Sequence, residues 1–241
     1  MDFTETGTLV KWSIGDIVVI PEIIEVSENK FRGGAFWCIP NFDQLGYPFE
    51  IKHGEYRITK CSTPTLPHEK FLSAESGAGW GKLATRVLWE EKTMLNVYQL
   101  ETRAHLQALS PMTILRPGFH PYFKVHTSFI LEIGGITITS ETMPVDKIVS
   151  VPAQKNASGN AVATLKTGNL HITVAATMEE DLLRSSTCFS FCIWSDKPEG
   201  YICVEPVYGT TQGIDNLPTS FALGRGQTTT LVSKIVVSTM G

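Results

Sequence analysis

Two ionisable residues of the chain directly precede a proline, at His120-Pro121 and Glu205-Pro206. An imidazole and a carboxylate can share the acid and base roles of a proton transfer. Proline forces the residue before it towards an extended backbone and removes one donor from a sheet. We therefore expect each side chain on a strand or bulge whose regular pairing stops beside it. A hydrogen-bonded structural histidine and a solvated strand end fit the same spacing, and spacing alone favours that simpler interpretation.

The residues before Pro206 alternate in a way that predicts a strand with two different faces. Tyr201, Cys203 and Glu205 share one face, and Ile202 and Val204 share the other. If the two aliphatic residues point into the core, Glu205 faces a concave surface on which a sugar-sized ligand can lie.

A third segment, residues 30–57, combines Arg32, Arg57 and His53 with aromatic residues and a Gly-Gly pair. Arginine presents a planar fork that matches carboxylate or phosphate oxygens in pairs. Glycine lets a backbone approach a ligand closely. The alternative is a set of surface ion pairs, such as Arg57 with Glu55, which contribute little. Without further information that alternative is favoured.

Neither a metal nor an organic cofactor is predicted. The six histidines include no i, i+4 pair, and the sequence has no Cys/His cluster, so a zinc hydrolase is disfavoured. The glycine-rich stretch at residues 77–81 lacks the Gly-Lys-Ser/Thr of a phosphate-binding loop.

Strands are expected to position these residues, because β-branched side chains are abundant and long amphipathic helices are absent from the pattern. The firmest hairpin joins Phe129–Ile133 to Ile136–Thr139 across Gly134-Gly135. The other predicted strands are Leu9–Ile20, Gly81–Glu91, Thr93–Ala108, Ala161–Lys166, Asn169–Ala175, Cys188–Trp194, Tyr201–Glu205 and Thr228–Ser238.

The remaining segments predict little regular structure. Met178–Leu183 is expected to form a short turn of helix, and Thr59–Gly81 and Gln154–Asn160 are expected to be surface loops. Neither loop resembles a domain linker. The sequence therefore predicts a single all-β domain over residues 1–241, built as an antiparallel sandwich.

Composition narrows the class of function. The 241 residues carry a net charge of −4 with no basic run, which disfavours nucleic acid and anionic membranes as partners. No apolar run reaches the ~18 residues that cross a bilayer, and the acidic N-terminus lacks an export signal. Five cysteines without a Cys-x-x-Cys motif argue against a disulfide framework. We therefore expect a cytoplasmic protein.

The segments described above, in this order, resemble the galactose mutarotase superfamily, which includes the aldose 1-epimerase and glucose-6-phosphate 1-epimerase families. The resemblance covers residues 30–209. It runs through Arg-Gly-Gly with Pro-Asn-Phe, His-Gly-x-x-Arg, Phe-His-Pro-Tyr-Phe, and Trp-Ser-Asp leading into Cys-Val-Glu-Pro. It implies a β-supersandwich of two large antiparallel sheets, with a sugar cleft on one concave face.

The resemblance also implies an isomerase that interconverts the α and β anomers of a hexose or hexose 6-phosphate by acid–base ring opening, with no cofactor. The site residues that it implies are Glu205 as general base, His120 as general acid, His53 near the ring oxygen, Arg32 and Arg57 on hydroxyls or a phosphate, and Asp146 on a hydroxyl. The two arginines favour the 6-phosphate.

Two other functions fit the same residues. A carbohydrate-binding protein of this fold needs the cleft but no matched acid and base. A sandwich glycosidase or lyase would work through two carboxylates, with Asp146 and Glu205 as the pair.

Overall fold

The computed structural model describes residues 1–28, 30–42, 53–54, 62–66, 69–74, 81–179 and 187–239. Its strands, numbered along the chain, are β1 (Asp2–Phe3), β2 (Leu9–Ile14), β3 (Ile17–Ile20), β4 (Ile24–Ser27), β5 (Lys30–Arg32), β6 (Ala35–Cys38), β7 (Ser62–Leu66), β8 (Glu69–Ala74), β9 (Leu83–Met94), β10 (Val97–Ala108), β11 (Met112–Leu115), β12 (Gly118–Lys124), β13 (Phe129–Ile133), β14 (Ile136–Thr139), β15 (Val149–Ala153), β16 (Ala161–Thr167), β17 (Leu170–Glu179), β18 (Cys188–Trp194), β19 (Tyr201–Gly209), β20 (Phe221–Gly224) and β21 (Thr228–Thr239). Among these residues no helix has the length and apolarity that a bilayer crossing requires.

Two large antiparallel sheets dominate the described part of the chain. One has eight strands in the order β1-β2-β6-β12-β19-β18-β15, with β3 paired to β2. The other has nine, in the order β14-β13-β16-β17-β21-β10-β9-β8-β7. Two small sheets, β11 with β20 and β4 with β5, accompany them. The prediction of an all-β fold built from two large antiparallel sheets is confirmed.

Tight turns connect neighbouring strands where the backbone can take positive φ. Gly134 and Gly135, at φ 56° and 86°, join β13 to β14 as predicted. Leu95 and Asn96, at φ 38° and 68°, join β9 to β10. The predicted break after Glu91 was wrong, because β9 continues to Met94. The turn itself contains no glycine, which is the residue that most often marks a two-residue hairpin turn.

Three other predictions differ from the structure. The predicted strand Leu9–Ile20 is split into β2 and β3 by a turn at Gly15, which has φ 54°. The predicted helical turn is wrong at Met178 and Glu179, which extend β17, and its remaining residues lie outside the described ranges. The predicted loop at residues 59–81 contains β7 and β8.

The strands β7 and β8 lie at one end of the nine-stranded sheet. Pro64 lies within β7, which is the end strand of this sheet among the described residues, and edge strands tolerate proline better than central strands do. Proline therefore misled the prediction at this edge. The predicted loop at 154–160 is confirmed between β15 and β16.

The main core lies between the two large sheets, and buried hydrogen bonds from Trp37 and Tyr208 cross it. Trp37 Nε1 on β6 donates to Thr102 Oγ1 on β10 over 2.9 Å. Tyr208 Oη on β19 donates to the Val232 carbonyl on β21 over 2.8 Å. These bonds satisfy polar groups that would otherwise be buried at a cost.

The eight-stranded sheet is also covered on its outer face. A second cluster of buried side chains there includes Phe36, Tyr122, Cys203 and Val207. All nine residues of β19 are consequently buried, as are the first six of β12. A strand buried on both faces has a continuous rather than alternating buried pattern. The second cluster therefore forms an apolar layer, largely shielded from solvent, on the outer face of the eight-stranded sheet.

The bond between Trp37 and Thr102 predicts a non-additive stability effect. Thr102→Val and Trp37→Phe should each lower the free energy of unfolding by about 1–3 kcal/mol, because each leaves a buried polar group without its partner. The double variant should lose less than the sum. Urea unfolding measures all three, with the exposed Thr93→Val as a control within about 0.5 kcal/mol of wild type. Strictly additive losses would contradict this account.

Candidate functional site

A cleft of about 780 Å³ opens on the outer face of the eight-stranded sheet. Its buried lining includes Phe36, His120, Tyr122 and Glu205, which we call the floor. Its size is typical of a pocket for a small molecule. The cleft therefore meets the first requirement of a ligand site.

The floor brings together the two residues that precede proline. Tyr122 on β12 pairs with Cys203 on β19, and this register places His120 opposite Glu205. His120 Nε2 lies 3.3 Å from Glu205 Oε1. The two residues are only 5% and 3% exposed. An imidazole and a carboxylate thus meet at the bottom of a cleft, where proton transfer to a ligand is possible.

Aromatic rings hold the imidazole of His120 in place. Phe36 and Tyr122 stack on it with ring centroids 4.8 Å and 5.0 Å away. His53 meets it edge-on at 5.1 Å and 88°. Rings packed this closely restrict the rotation of the imidazole, and its Nε2 atom is directed towards Glu205.

His53 lines the same cleft from a tight turn. Its backbone has φ 65°, and its Nδ1 lies 2.6 Å from the carbonyl oxygen of Phe42. Because a carbonyl only accepts, Nδ1 carries the proton, and Nε2 of the neutral ring is then an acceptor. A Cβ on the next residue, Gly54, would lie 2.0 Å from the Ile39 carbonyl oxygen. The His-Gly pair therefore fits this turn sterically.

Arg32 lines one side of the cleft, and its guanidinium is bound within the protein. Its Nε and Nη2 donate to Asp196 Oδ2 over 3.0 Å and 2.7 Å. Nε also donates to Tyr201 Oη over 3.0 Å, and Nη1 donates to the Phe31 carbonyl over 3.0 Å. The guanidinium carbon lies 4.7 Å from the Trp194 ring centroid. The positive charge of Arg32 is therefore balanced before any ligand binds.

The partners of Arg32 have shifted pKa values. Burial would raise the pKa of Asp196, but hydrogen bonds from Arg32 and Tyr201 outweigh burial and hold it below its ordinary value. Burial, together with the hydrogen bond to Asp196, raises the pKa of Tyr201. The tyrosine therefore stays protonated and donates to the carboxylate.

The Arg-Gly-Gly turn brings two parts of the backbone close together. Gly33 has φ 96°, and a Cβ there would lie 2.3 Å from the Glu22 carbonyl oxygen. The Gly34 N–H donates to the Pro21 carbonyl over 2.8 Å, and its own carbonyl accepts from the Tyr122 N–H over 3.0 Å. These glycines allow close contact with the chain's own backbone between β5 and β6, and Gly33 also lines the cleft.

Asp146 lies at the exposed edge of the cleft. Its backbone N–H donates to the Ser195 carbonyl over 2.8 Å, and its Oδ1 accepts from Trp194 Nε1 over 3.3 Å. Of the candidates from the sequence, this aspartate, both histidines, Glu205 and Arg32 line one cleft. Arg57 lies outside the described residues.

Sequence reasoning gave no role to several residues of the site. Asp196 and Tyr201 bind Arg32. The sulfur of Cys203 lies within 4.8 Å of a carboxylate oxygen of Glu205. Burial, and next the carboxylate of Glu205, raises the pKa of Cys203. The shared strand face of Cys203 and Glu205 was the one available signal, and it did not reveal their contact with His120.

The balance of charge around Arg32 predicts a pH-dependent stability. Asp196→Asn should lower the free energy of unfolding by about 1–2 kcal/mol at neutral pH, because a charge-assisted hydrogen bond is lost. The folded pKa of Asp196 is lowered. The advantage of the wild type is therefore complete above the unfolded pKa of ~3.9 and disappears as the pH falls through the folded value.

Urea unfolding of the wild type and Asp196→Asn over a pH series measures this difference. Asp16→Asn, at an exposed turn, is the matched control and should stay within about 0.5 kcal/mol of wild type. A difference between wild type and Asp196→Asn that persists unchanged in acid would show that the carboxylate charge is not responsible.

No protein-family model and no curated protein matches this sequence. Solved structures do match. A candidate aldose 1-epimerase from Escherichia coli K12 superimposes with a TM-score of 0.66 at 12% identity, covering 98% of this chain and 94% of that one. A galactose mutarotase-like protein from Lactobacillus casei superimposes with a TM-score of 0.59 at 17% identity, covering 92% and 90%.

A candidate mutarotase from Salmonella typhimurium superimposes with a TM-score of 0.53 at 13% identity, covering 98% of this chain and 85% of that one. The three similarities extend over nearly the whole chain, although the sequences have diverged widely. The chain therefore has the galactose mutarotase-like fold that its motifs predicted.

Proposed function

We propose that this protein is an aldose mutarotase, which interconverts the α and β anomers of a hexose. The observation that carries the proposal is the contact of His120 Nε2 with Glu205 Oε1, 3.3 Å apart on the floor of the cleft. The fold of the neighbours supports a sugar ligand. The geometry adds an acid and a base close enough to act on one sugar.

The reaction needs two proton transfers at neighbouring atoms of the sugar. Glu205 removes the proton of the C1 hydroxyl while His120 gives a proton to the ring oxygen, so the C1–O5 bond breaks and an aldehyde forms. After rotation about C1–C2, the C5 hydroxyl oxygen attacks the other face of the aldehyde and re-forms the C1–O5 bond. In this step His120 takes the proton of that hydroxyl and Glu205 returns one to the aldehyde oxygen. Protons balance over the cycle, and no other reactant is required.

The direct contact of His120 and Glu205 is compatible with this chemistry. The two residues lie side by side on adjacent strands. The C1 hydroxyl oxygen and the ring oxygen are both bonded to C1, so neighbouring groups can each reach one of them. In this proposal the two sugar oxygens replace the contact between the side chains.

Other residues of the cleft support sugar binding. Nε2 of His53 is an acceptor in the neutral ring, and the Asp146 carboxylate at the cleft edge can accept from a sugar hydroxyl. Trp194 offers an aromatic surface at the same edge. In this proposal the three residues hold the pyranose, while the floor performs the proton transfers.

The charges around the cleft favour a neutral sugar over a 6-phosphate. Two cations, Lys30 and Arg32, and two carboxylates, Asp146 and Glu205, are present among the described lining residues. Arg32 is further neutralised by Asp196. A phosphate dianion would meet no excess of positive charge on this part of the cleft, whereas a hydroxymethyl group needs none.

Removing either member of the pair should abolish most of the activity. Glu205→Gln and His120→Asn should each slow anomer exchange by about 10²- to 10⁴-fold, because each removes one positioned proton transfer. Exchange NMR of the anomeric protons of glucose and galactose measures the rate. Near-UV circular dichroism confirms that each variant is folded.

Glu132→Gln and His126→Asn change the same residue types at exposed positions and should retain the wild-type rate. A folded Glu205 or His120 variant with wild-type exchange would remove that residue from the mechanism. Sugar binding by a wild-type protein that does not accelerate exchange would instead identify a carbohydrate-binding protein.

The charge balance predicts the substrate preference. The ratio kcat/KM should be higher for glucose than for glucose 6-phosphate, and Asp196→Asn should raise the relative activity on the phosphate by freeing the charge of Arg32. The same exchange experiment on both sugars measures this. A wild type that prefers the phosphate would contradict the assignment to neutral hexoses.

A further inference from the structure

Three side chains on or beside the floor carry atoms that bind transition metals. The ligand atoms of His120, Cys203 and Glu205 all lie within 4.8 Å of one another. The three residues are at most 5% exposed. They come from the paired strands β12 and β19, so the cluster exists in space although the sequence has no metal-binding spacing. Imidazole, thiolate and carboxylate are the usual protein ligands of Zn²⁺.

The separations suit a tetrahedral ion. Zn–N and Zn–O bonds of about 2.0–2.2 Å and a Zn–S bond of about 2.3 Å place the ligand atoms roughly 3.3–3.6 Å apart. His120 Nε2 and Glu205 Oε1 are already 3.3 Å apart. The Cys203 sulfur lies at most 4.8 Å from the other two ligand atoms. From that distance, a shift of about 1 Å would bring it into the range required for a shared Zn²⁺.

The charges of the cluster also suit a divalent ion. A carboxylate and a thiolate together carry two negative charges, so the occupied site is neutral overall. A neutral cluster avoids the large desolvation penalty of an uncompensated buried charge. The thiol gives its proton to the solvent when it ligates the metal.

We propose that His120, Cys203 and Glu205 form a binding site for Zn²⁺, with the fourth coordination position open to the cleft. Softer nitrogen and sulfur ligands select Zn²⁺ over Mg²⁺ and Ca²⁺, which prefer oxygen ligands. The site overlaps the floor, so bound metal occupies the lone pairs that would exchange protons with the sugar. Zn²⁺ is therefore an inhibitor of this protein, a consequence that rests on the proposed function, whereas binding itself does not.

Titration of the metal-free protein with Co²⁺ tests the site directly, because Co²⁺ reports its ligands in its spectrum. We expect one equivalent of Co²⁺ to give the visible bands of tetrahedral coordination and a near-ultraviolet band of thiolate ligation. Zn²⁺ should remove both signals, and Mg²⁺ should not. Wild-type protein that gives no thiolate band with Co²⁺ would overturn the proposal without any variant.

Cys203→Ser should abolish the thiolate band and weaken Co²⁺ binding at least tenfold, on the order of the loss seen when a metal site is impaired. Cys192→Ser is the matched control. Cys192 is also buried and lies cross-strand from Glu205, but its sulfur contacts Ser150 Oγ at 3.6 Å. A thiolate band that survives in Cys203→Ser, or disappears in Cys192→Ser, would contradict the assignment of ligands.

Anomer exchange separates this proposal from the proposed function. Zn²⁺ should suppress the exchange rate of the metal-free enzyme, and EDTA should restore it. Binding through Cys203 without loss of rate would contradict the overlap with the acid–base pair. A metal-free protein that never accelerates exchange would contradict the mutarotase proposal, while the Co²⁺ spectrum would still decide the metal site.

Discussion

The pairing of β12 with β19 holds an imidazole against a carboxylate in a buried position, and the site depends on that contact. Both strands are covered on each face, so neither can shift without disturbing the main core and the second cluster. Pro121 and Pro206 follow the two residues and cannot donate to the sheet. The side chains of His120 and Glu205 thus lie where regular backbone pairing is interrupted but the strands remain fixed.

Burying charged groups beside an apolar cluster costs stability. A buried carboxylate needs a partner, because removing one member of a buried ion pair lowers the stability of a protein by about 3–5 kcal/mol. Glu205 is close to both His120 and Cys203, and Arg32 is similarly compensated by Asp196 and Tyr201. The charged side chains among the described lining residues are therefore balanced by nearby partners, which is the basis for proposing a neutral sugar as the ligand.

The positions of the strands could be predicted from the sequence, whereas the pairing of one strand with another could not. Alternation and the Gly134-Gly135 turn correctly predicted β13 and β14. The ordered motifs predicted the fold, and five of the six candidate residues chosen from them line one cleft. The contacts between candidates depend on which strands pair, and that is a non-local property. Arg32 and Asp196, for example, are 164 residues apart.

Local signals failed at two positions. Leu95, which has positive φ although it is not a glycine, forms a turn with Asn96, and Pro64 lies in an edge strand that the sequence alone does not distinguish from a loop. The ligand cluster around Cys203 was invisible for a different reason. Its members are spread over two strands, so no spacing along one segment relates them.

A crystal structure of the protein with a hexose bound in the cleft would test the roles of His120 and Glu205 directly. We expect a pyranose whose C1 hydroxyl oxygen lies within hydrogen-bonding distance of the Glu205 carboxylate and whose ring oxygen lies within that distance of His120 Nε2. A sugar bound with its anomeric carbon away from both side chains would contradict it.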